Sequence, residues 1–265
     1  MKPPIKYFGG KGNMAQHILT QFPQNPYKIY IEPFGGGASL LLAKIQSPVE
    51  IYNDLEQNVY SLFKVLAHPE SFQEMKAWLE ITPFSEQLRR EFKEELKDPA
   101  IPLVQRAYKF LYVNRTSING IGGFMLNTYV RRGIAKPVSD YLSMIDRLPE
   151  MHQRLSNVII LNRDAFELMK KYNQPDTFFY LDPPYHWSTR TSTRYTVEMQ
   201  DEMQSRFIDT LIPMEAKVLL SGYDNPEYHR LEDAGWCKHA FEVTMMSGSH
   251  KTKKQTECLW RNYAI

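Results

Sequence analysis

Residues 29–54 read IYIEPFGGGASLLLAKIQSPVEIYND, and this stretch decides the fold. The apolar run at 28–34 predicts a strand, the glycines at 35–37 a turn and residues 38–45 a helix, and residues 49–54 predict a second strand. Strand, turn, helix and strand in this order form a βαβ unit, which requires a parallel sheet. We therefore predict an α/β protein.

The α/β pattern is interrupted once. Helical segments and a stretch rich in glycine and arginine fill residues 67–149, and strand-like runs such as NVIILN and TFFYLD return only afterwards. The segments AFEVTMM and TECLWRNYAI predict an antiparallel strand pair around a basic loop. We therefore expect one domain made of residues 1–66 and 150–265, with a mostly helical insert at 67–149.

Two helix starts carry local signals. Ser71 and Glu74 have the spacing of a capping box. Asn225 precedes Pro226, which predicts an N-cap and a first helical position, and Gly235 predicts the end of that helix.

Length and composition exclude several classes of protein. With 265 residues, 43% of them hydrophobic, the chain suits one large domain or a domain with an insertion. No apolar run approaches the ~18–20 residues of a membrane span, and MKPPIKYFGGKGN lacks the apolar centre of a signal peptide, so we expect a cytoplasmic protein. Cys237 and Cys258 predict free thiols rather than a metal site or a disulfide framework.

The charge distribution points to a polyanionic partner. The net charge is only +2, and the acids of SEQLRREFKEELKD predict a solvated helix. Basic residues without acidic neighbours lie in three polar loops, TYVRRGIAKP, HWSTRTSTRYT and SGSHKTKKQT. Three such loops on one chain favour a nucleic acid as the partner.

The glycine turn has an acidic companion. Glycines between a strand and a helix allow a ligand to approach the backbone, and the helix N-terminus offers free N–H groups. Asp54 ends the next strand, where α/β folds place the carboxylate that binds a ribose diol. Together they predict an adenosine-containing ligand. The GxGxxG fingerprint is absent, which disfavours a nicotinamide-dependent dehydrogenase.

The segment LDPPY at 181–185 follows the apolar run TFFY. Pro183 and Pro184 have no N–H, and Asp182 is held extended because a proline follows it. The segment thus offers acceptors without donors, which suits an amino group with two N–H donors. Tyr185 adds a flat face for a planar ring, as enzymes that flip bases require. We predict a site for an aromatic amine such as that of adenine or cytosine.

These motifs resemble the Dam-like DNA adenine methyltransferases, which use S-adenosylmethionine. The resemblance covers nearly the whole chain, and it implies a Rossmann-like methyltransferase sheet, mostly parallel with a C-terminal antiparallel hairpin, plus a mostly helical inserted DNA-recognition domain. The matching segments, in the family's order, are KYFGGKGNMAQHI, EPFGGGAS, YNDLEQNVY, NRTSINGIGG, NRDAFELM and DPPY.

The resemblance also implies residue roles. Lys11 would pair with the cofactor carboxylate, Asp54 would bind the ribose hydroxyls, and Asp164 would hydrogen-bond to the cofactor adenine. Without the resemblance, Lys11 would be interpreted as a surface lysine and Asp164 as a helix cap. The implied cofactor-binding residues are Tyr7, Lys11, Phe34, Gly35, Gly36, Gly37, Asp54, Asp164 and Asp182, and the implied catalytic residues are Asp182, Pro183, Pro184 and Tyr185.

The DNA side is predicted from charge and position. The insert would recognise DNA. Its segment GIGGFMLNTYVRRGIAKP departs from the hairpin of Dam-like enzymes that read GATC. The resemblance therefore does not imply GATC specificity, and relaxed specificity stays open. Candidates for reading base edges are Arg115 and Asn119, and candidates for phosphate or loop contacts are Arg131, Arg132, Lys136, Arg190, Arg194, Lys251, Lys253 and Lys254.

Three other activities compete with methylation of adenine in double-stranded DNA. They are methylation of the cytosine amine, methylation of adenine in RNA, and DNA binding by an inactive relative. Cytosine enzymes of this kind usually have serine where Asp182 stands, and the intact DPPY argues against an inactive relative. We expect no metal and no membrane partner, a monomer or weak dimer, and the cytoplasm of a bacterium or a phage-infected host.

Overall fold

The computed structural model describes residues 1–7, 9–183, 201–246 and 252–265. The α-helices in these ranges are α1 (Ala15–Leu19), α2 (Ser39–Ala43), α3 (Gln57–Ala67), α4 (Pro69–Ile81), α5 (Glu86–Glu95), α6 (Leu103–Thr116), α7 (Lys136–Ile145), α8 (Leu148–Leu155), α9 (Ala165–Lys171), α10 (Asp201–Leu211) and α11 (Pro226–Asp233). The strands are β1 (Ile29–Glu32), β2 (Val49–Asn53), β3 (Val130–Arg131), β4 (Ile134–Ala135), β5 (Val158–Leu161), β6 (Thr177–Leu181), β7 (Lys217–Gly222), β8 (Cys237–Met246) and β9 (Thr252–Arg261).

The chain divides into two compact units. The first comprises Met1–Gly12, Gly36–Lys44 and Asp54–Asn162. The second comprises Asn13–Gly35, Ile45–Asn53 and Arg163–Ile265. The first unit is larger than the predicted insert at 67–149, and the assignment of that insert to DNA recognition stays a prediction.

The strands of the second unit run in the order β2-β1-β6-β7-β9-β8. The pairs β1–β2, β1–β6 and β6–β7 are parallel, whereas β7–β9 and β8–β9 are antiparallel. This arrangement confirms the predicted α/β sheet and its C-terminal antiparallel strand pair. Because β1, β6 and β7 are parallel neighbours, their carboxyl ends lie at one edge of the sheet.

Strand β6 is the buried centre of this sheet. All of its residues are buried, in agreement with the uninterrupted apolar run that a parallel strand covered on both faces requires. The ring of Phe178 receives the edge of Phe22, with centroids 4.7 Å apart. The strand therefore holds the residue that follows it, Asp182, on a rigid support.

The first unit is built mainly from packed helices. Helices α3, α4 and α6 bury one face each, with Phe63, Phe72 and Leu111 fully enclosed. On α5 the exposed acids confirm a solvated face, while Arg89 turns inward and its Nε donates to Ser117 Oγ at 2.8 Å. The helical character predicted for this part of the chain is thereby confirmed.

A small hairpin projects from the helical unit. Its strands β3 and β4 have two residues each, and the two loop residues, Arg132 and Gly133, both have positive φ, at 56° and 78°. Two positive values identify a type I′ turn, which matches the twist of the strands. Val130 on β3 is 73% exposed, so the hairpin packs little of its surface into the protein.

The helix signals gave mixed results. The Asn225 side chain accepts from Tyr228 N–H at 3.2 Å, Pro226 is the first residue of α11, and Gly235 follows with φ 89°, all as predicted. The capping box at Ser71 was wrong, because α4 already begins at Pro69.

Free thiols are confirmed: Cys237 is exposed and Cys258 buried, without a disulfide. None of the helices in the described ranges is both long and apolar enough to cross a bilayer.

We expect Gly35→Ala to lower the free energy of unfolding by about 1–3 kcal/mol, the usual cost of overpacking. A Cβ at Gly35 would overlap the ring of Tyr52, which is fully buried on β2. Gly123→Ala is the matched control, since nothing lies within 4 Å of its added Cβ. Urea denaturation of the three proteins measures the effect, and equal midpoints would contradict it.

Candidate active site

The glycine turn follows β1 and closes against an aromatic ring. In the first unit, an added Cβ at Gly36 would lie 2.8 Å from Tyr7 Cε1, and one at Gly37 would lie 3.2 Å from Tyr7 Cβ. Gly36 also has a positive φ of 48°. Gly36 is therefore restricted to glycine by close approach as well as by backbone conformation, and Gly37 by close approach alone. Tyr7, Gly36 and Gly37, all predicted cofactor residues, form one continuous surface.

Asp54 joins the glycine turn at Gly36 to the segment that precedes α3. Its Oδ2 accepts from Gly36 N–H at 2.7 Å and its Oδ1 from Glu56 N–H at 2.8 Å. The Asn162 side chain donates to the Asp54 carbonyl at 2.7 Å. Burial raises the pKa of Asp54 to about 6, although both backbone hydrogen bonds oppose this shift. The carboxylate is thus positioned by backbone donors, and each oxygen keeps a further lone pair for a ligand.

Lys11 is buried rather than solvated. It lies in the short 3-10 helix Lys11–Asn13 and is only 2% exposed, so the interpretation as a surface lysine was wrong. A buried ammonium requires anionic or hydrogen-bonding partners, since its desolvation is costly. This burial fits a residue with a specific polar role.

In the second unit, Asn53 holds together the loops that follow β1 and β5. Its Nδ2 donates to the carbonyls of Pro33 and Arg163, both at 2.9 Å, and its Oδ1 accepts from Arg163 N–H at 2.8 Å. Phe34 belongs to the loop after β1, and its ring lies edge-on to Phe207 with centroids 6.0 Å apart. Asn53 therefore fixes Pro33 and Arg163, the residues that directly precede two predicted cofactor residues, Phe34 and Asp164.

Asp164 is a helix cap, which is what the local sequence alone predicts. Its Oδ1 accepts from Phe166 N–H at 2.9 Å and Glu167 N–H at 3.2 Å at the start of α9. The side chain is exposed. Capping through one oxygen leaves Oδ2 for a ligand, and the contact with the cofactor adenine stays a prediction.

Asp182 and Pro183 follow β6 directly. Asp182 is partly exposed and Pro183 is buried. The phenols of Tyr180 and Tyr228 lie near Asp182: burial first and then the Asp182 charge raise the pKa of Tyr228, and the same two causes lead for Tyr180. Pro184 and Tyr185, the rest of the predicted tetrapeptide, lie outside the described residues.

Two of the predicted phosphate contacts share an acidic partner. Arg131 on β3 and Lys136 at the start of α7 both donate to the carboxylate of Asp140, Lys136 at 2.5 Å. Partial burial raises the pKa of Asp140, but these two cations outweigh it and leave the pKa below its usual value. Arg132 donates to Ser143 Oγ at 3.1 Å. The basic side chains of the hairpin are therefore held in place.

Arg115 is more enclosed than its predicted role in reading base edges suggests. Burial, and then the neighbouring Arg147, lower the pKa of Arg115 to about 10. The Nε atoms of Arg115 and Arg147 are both buried without a hydrogen-bond partner among the described residues. Lys6 belongs to the same basic group, because burial and Arg115 lower its pKa to about 8. These cations are more numerous than their acidic neighbours, which favours an anion at this surface.

The remaining predicted DNA residues are placed only in part. Asn119 is exposed and has a positive φ of 52°. Lys253 and Lys254 lie on β9, with no description of their side chains. The candidates that fall outside the described residues are Arg190, Arg194 and Lys251.

Some residues act through contacts that are distant in sequence, and no local pattern predicts them. Asn114 on α6 binds the backbone of Lys6 from both sides, accepting from its N–H at 2.8 Å and donating to its carbonyl at 3.0 Å. Asn53 was overlooked although it stands next to Asp54. Tyr228 carries no local signal, because its position depends on the pairing of the sheet.

One surface cluster has the composition of a metal site but already contains a cation. Asp224, His229 and Glu232 group their ligand atoms within 4.8 Å. Lys238 Nζ lies 2.8 Å from Asp224 Oδ1 and 3.3 Å from Glu232 Oε1. Because the ammonium compensates both acids, we assign no metal to this cluster.

Comparison with known proteins identifies similar methyltransferases. At 28% identity the chain is similar to the type II methyltransferase M.MjaIII of Methanocaldococcus jannaschii, with 86% of each chain covered. At 25% identity it is similar to the type II methyltransferase M1.LlaDCHI of Lactococcus lactis subsp. cremoris, with 99% of this chain and 96% of the relative covered.

A solved structure of a putative RNA methyltransferase from Pyrococcus horikoshii covers 96% of this chain and 82% of its own, at 9% identity and a TM-score of 0.39. That likeness is too weak to bear on the fold, which rests on the strand order and pairing described above.

The family model of the D12 class N6 adenine-specific DNA methyltransferase matches residues 7–245. The match includes the glycine turn, the acid after β2 and the Asp-Pro segment after β6, and it covers most of the chain. The chain belongs to the D12 class of N6 adenine-specific DNA methyltransferases.

Proposed function

We propose that this enzyme transfers the methyl group of S-adenosylmethionine to the exocyclic amine of an adenine flipped out of double-stranded DNA. The observation that carries the proposal is the position of Asp182 and Pro183 at the carboxyl end of β6, between the parallel neighbours β1 and β7. That edge is where open α/β sheets bind ligands. A base must leave the duplex before its amine can enter such a site.

The chemistry asked of the protein is positioning. The Asp182 carboxylate and the Pro183 carbonyl accept hydrogen bonds from the two N–H groups of the amine. These bonds draw the nitrogen lone pair out of conjugation with the ring. The amine nitrogen would then be aimed for in-line attack on the methyl carbon, with the new N–C bond forming as the C–S bond breaks and with S-adenosylhomocysteine and one amine proton released. The developing positive charge would face a carboxylate on a rigid strand end. S-adenosylmethionine supplies an electrophilic methyl group on its sulfonium when bound.

Several of the described residues carry groups that suit such a cofactor. Asp54 presents a buried carboxylate, which is 8% exposed, to the ribose hydroxyls, and Lys11 presents an ammonium to the carboxylate of the methionine portion. Gly36 and Gly37 leave the backbone open beside Tyr7. Phe34 and Asp164 are proposed to contact the adenine of the cofactor. Carboxylate for hydroxyls and ammonium for carboxylate are the chemically matched pairings.

The DNA partner is proposed to meet the hairpin and the basic residues around it. Arg131, Arg132 and Lys136 carry the charge on the hairpin side, and Arg115 adds a guanidinium whose Nε has no hydrogen-bond partner among the described residues. The hairpin does not follow the sequence of GATC readers, so we propose no recognition sequence. We propose that the enzyme works in the cytoplasm, as a monomer or weak dimer.

Asp182→Ala should reduce methyl transfer by about 100-fold or more, because the developing charge on the amine loses its acceptor. Affinity for S-adenosylhomocysteine should stay nearly normal. Transfer from tritiated S-adenosylmethionine to unmethylated DNA, followed by nucleoside analysis, measures the rate and identifies the methylated base. Asp176→Ala, at the amino end of the same strand, is the matched control. Near-normal turnover in Asp182→Ala would contradict the mechanism.

Affinity for S-adenosylhomocysteine should rise as the pH increases from 5 to 7, because the ionised Asp54 accepts better from ribose hydroxyls. The relevant pKa is about 6 in the folded protein, raised from 3.8 by burial. Asp54→Asn should weaken binding by about 1–3 kcal/mol and remove this pH dependence. Calorimetric titration across the pH range provides the measurement, with exposed Glu150→Gln as the control.

The same shift fixes the sign of a change in stability. Between pH 3.8 and about 6 the folded state binds the Asp54 proton more tightly than the unfolded state does, so this group's stabilising contribution is lost as the pH rises through about 6.

For the affinity measurement, a pH profile that is the same in Asp54→Asn as in the wild type would assign the ribose to another residue.

The double variant Arg131→Ala/Arg132→Ala should weaken binding to cognate and scrambled duplexes about equally. The log–log salt slope should fall by about one unit for each phosphate that the variant no longer neutralises. Arg90→Ala is the control, an exposed arginine on α5 that pairs with Glu86 in the same unit. Loss of discrimination between the duplexes would show instead that the arginines read bases. An unchanged affinity and slope would place the DNA surface elsewhere.

A further inference from the structure

The register of the sheet brings the end of β7 beside Asp182 and Pro183. The last registered pair between β6 and β7 joins Leu181 to Leu220. Continued by one and two residues, the register sets Asp182 level with Ser221 and Pro183 level with Gly222. Whatever lies against Gly222 therefore lies beside the segment that is proposed to hold the target amine.

Tyr228 is the side chain that lies against Gly222. A Cβ added at Gly222 would come within 2.8 Å of Tyr228 Cε2, the ring carbon next to the one that bears the hydroxyl. The ring also receives an edge-to-face contact from Trp260, with centroids 5.0 Å apart. The capped start of α11 fixes the backbone of Tyr228, so the ring is held from three sides.

The Tyr228 hydroxyl has no hydrogen-bond partner among the described residues. The residue is 2% exposed, but its hydroxyl makes no hydrogen bond with the described residues, and the oxygen is not among the fully enclosed polar atoms. Phenols buried to this extent usually find a partner for the hydroxyl. The charge that acts on it is that of Asp182. Tyr180, the other phenol near Asp182, instead shares the sheet interior with Ser221 and Glu257.

In the proposed chemistry, the ring nitrogens beside the target amine still lack a hydrogen-bond donor. Asp182 and the Pro183 carbonyl offer only acceptors, which suit the two N–H bonds of the adenine amine. The ring nitrogens N1 and N7 flank that amine and are acceptors themselves, so they require a donor that the Asp-Pro segment does not contain. A neutral tyrosine hydroxyl is a donor at physiological pH.

We propose that the Tyr228 hydroxyl donates a hydrogen bond to a ring nitrogen of the target adenine, N1 or N7, beside the amine held by Asp182 and Pro183. This inference rests on the proposed function. It makes Tyr228 a base-binding residue: Asp182 and Pro183 recognise the amine, and Tyr228 recognises the ring edge next to it.

The test combines Tyr228→Phe with base analogues. Phenylalanine keeps the ring against Gly222 and Trp260 and removes only the hydroxyl. After the wild-type enzyme has been used to map a methylated site, duplexes carry adenine, 7-deazaadenine or 1-deazaadenine at that site. On adenine, Tyr228→Phe should lose about 10-fold in kcat/KM, a reasonable effect for one hydrogen bond near the reacting amine. Affinity for S-adenosylhomocysteine should be unchanged.

The analogues distinguish a base contact from a structural effect. On the analogue that lacks the bonded nitrogen, the wild-type enzyme should already be slow, and Tyr228→Phe should cost nothing further. On the other analogue the 10-fold difference should persist. Tyr263→Phe is the control, because it removes the hydrogen bond that a partly buried tyrosine of the same unit donates to the Gln21 carbonyl at 2.8 Å.

Three outcomes would count against the proposals, and they are separable. Equal rates for wild type and Tyr228→Phe on adenine would overturn the role of Tyr228. An equal loss on adenine and on both analogues would also overturn it, since the hydroxyl would then act through Asp182 or through the fold. Absence of adenine methylation by the wild-type enzyme would overturn the proposed function itself.

Discussion

The hydrogen bonds that Asp54 accepts are the constraint on which the arrangement of the first unit's loops depends. One carboxylate oxygen holds Gly36 N–H and the other holds Glu56 N–H. The glycine turn and the segment before α3 are thereby fixed to one buried charge. Burial of that charge is costly, as the raised pKa indicates, and the backbone donors offset part of the cost. Folding thus prepares an acceptor that points away from water before any ligand arrives.

Several polar side chains use some or all of their hydrogen-bonding capacity to hold the backbone in place. Asp164 caps α9 through a single oxygen, and Asn53 uses its whole amide to join the loops that contain Pro33 and Arg163. At Asp164 this use would couple stability to the proposed contact with the cofactor, because a substitution there can remove a helix cap as well. Conservative replacements that keep the cap are therefore needed to isolate the binding role of such residues.

The parts of the fold that the sequence predicts are those set by local physics. Strands β1 and β2 and their glycine turn follow from periodicity and backbone conformation, and α11 begins at Pro226 because Asn225 caps it. The capping box at Ser71 was a wrong prediction, because Pro69 is also a favourable first helical residue and α4 begins there, two residues earlier. The acceptor-rich Asp-Pro pair is likewise readable, since proline removes donors wherever it stands.

Other features depend on contacts between distant segments, and the sequence alone does not contain them. The burial of Lys11 required the packed first unit, and the placement of Tyr228 required both the register of β7 and the absence of a side chain at Gly222. Likewise, the ion pairs of Arg131 and Lys136 with Asp140 required α7 to begin directly after β4. Residue type predicted which groups were charged, but tertiary packing decided which of them were already paired.

The hairpin of β3 and β4 has a consequence for how such enzymes diverge. Its two short strands are joined by a turn that needs only permissive residues at positions 132 and 133, and its apolar side chains are largely exposed. Substitutions there disturb little of the buried core, so the free energy of folding constrains them weakly. The residues after β1 and β2, in contrast, are fixed by close packing and buried hydrogen bonds. Under the proposed phosphate contacts, the strength of DNA binding can therefore change over evolutionary time while the residues proposed for the chemistry stay constant.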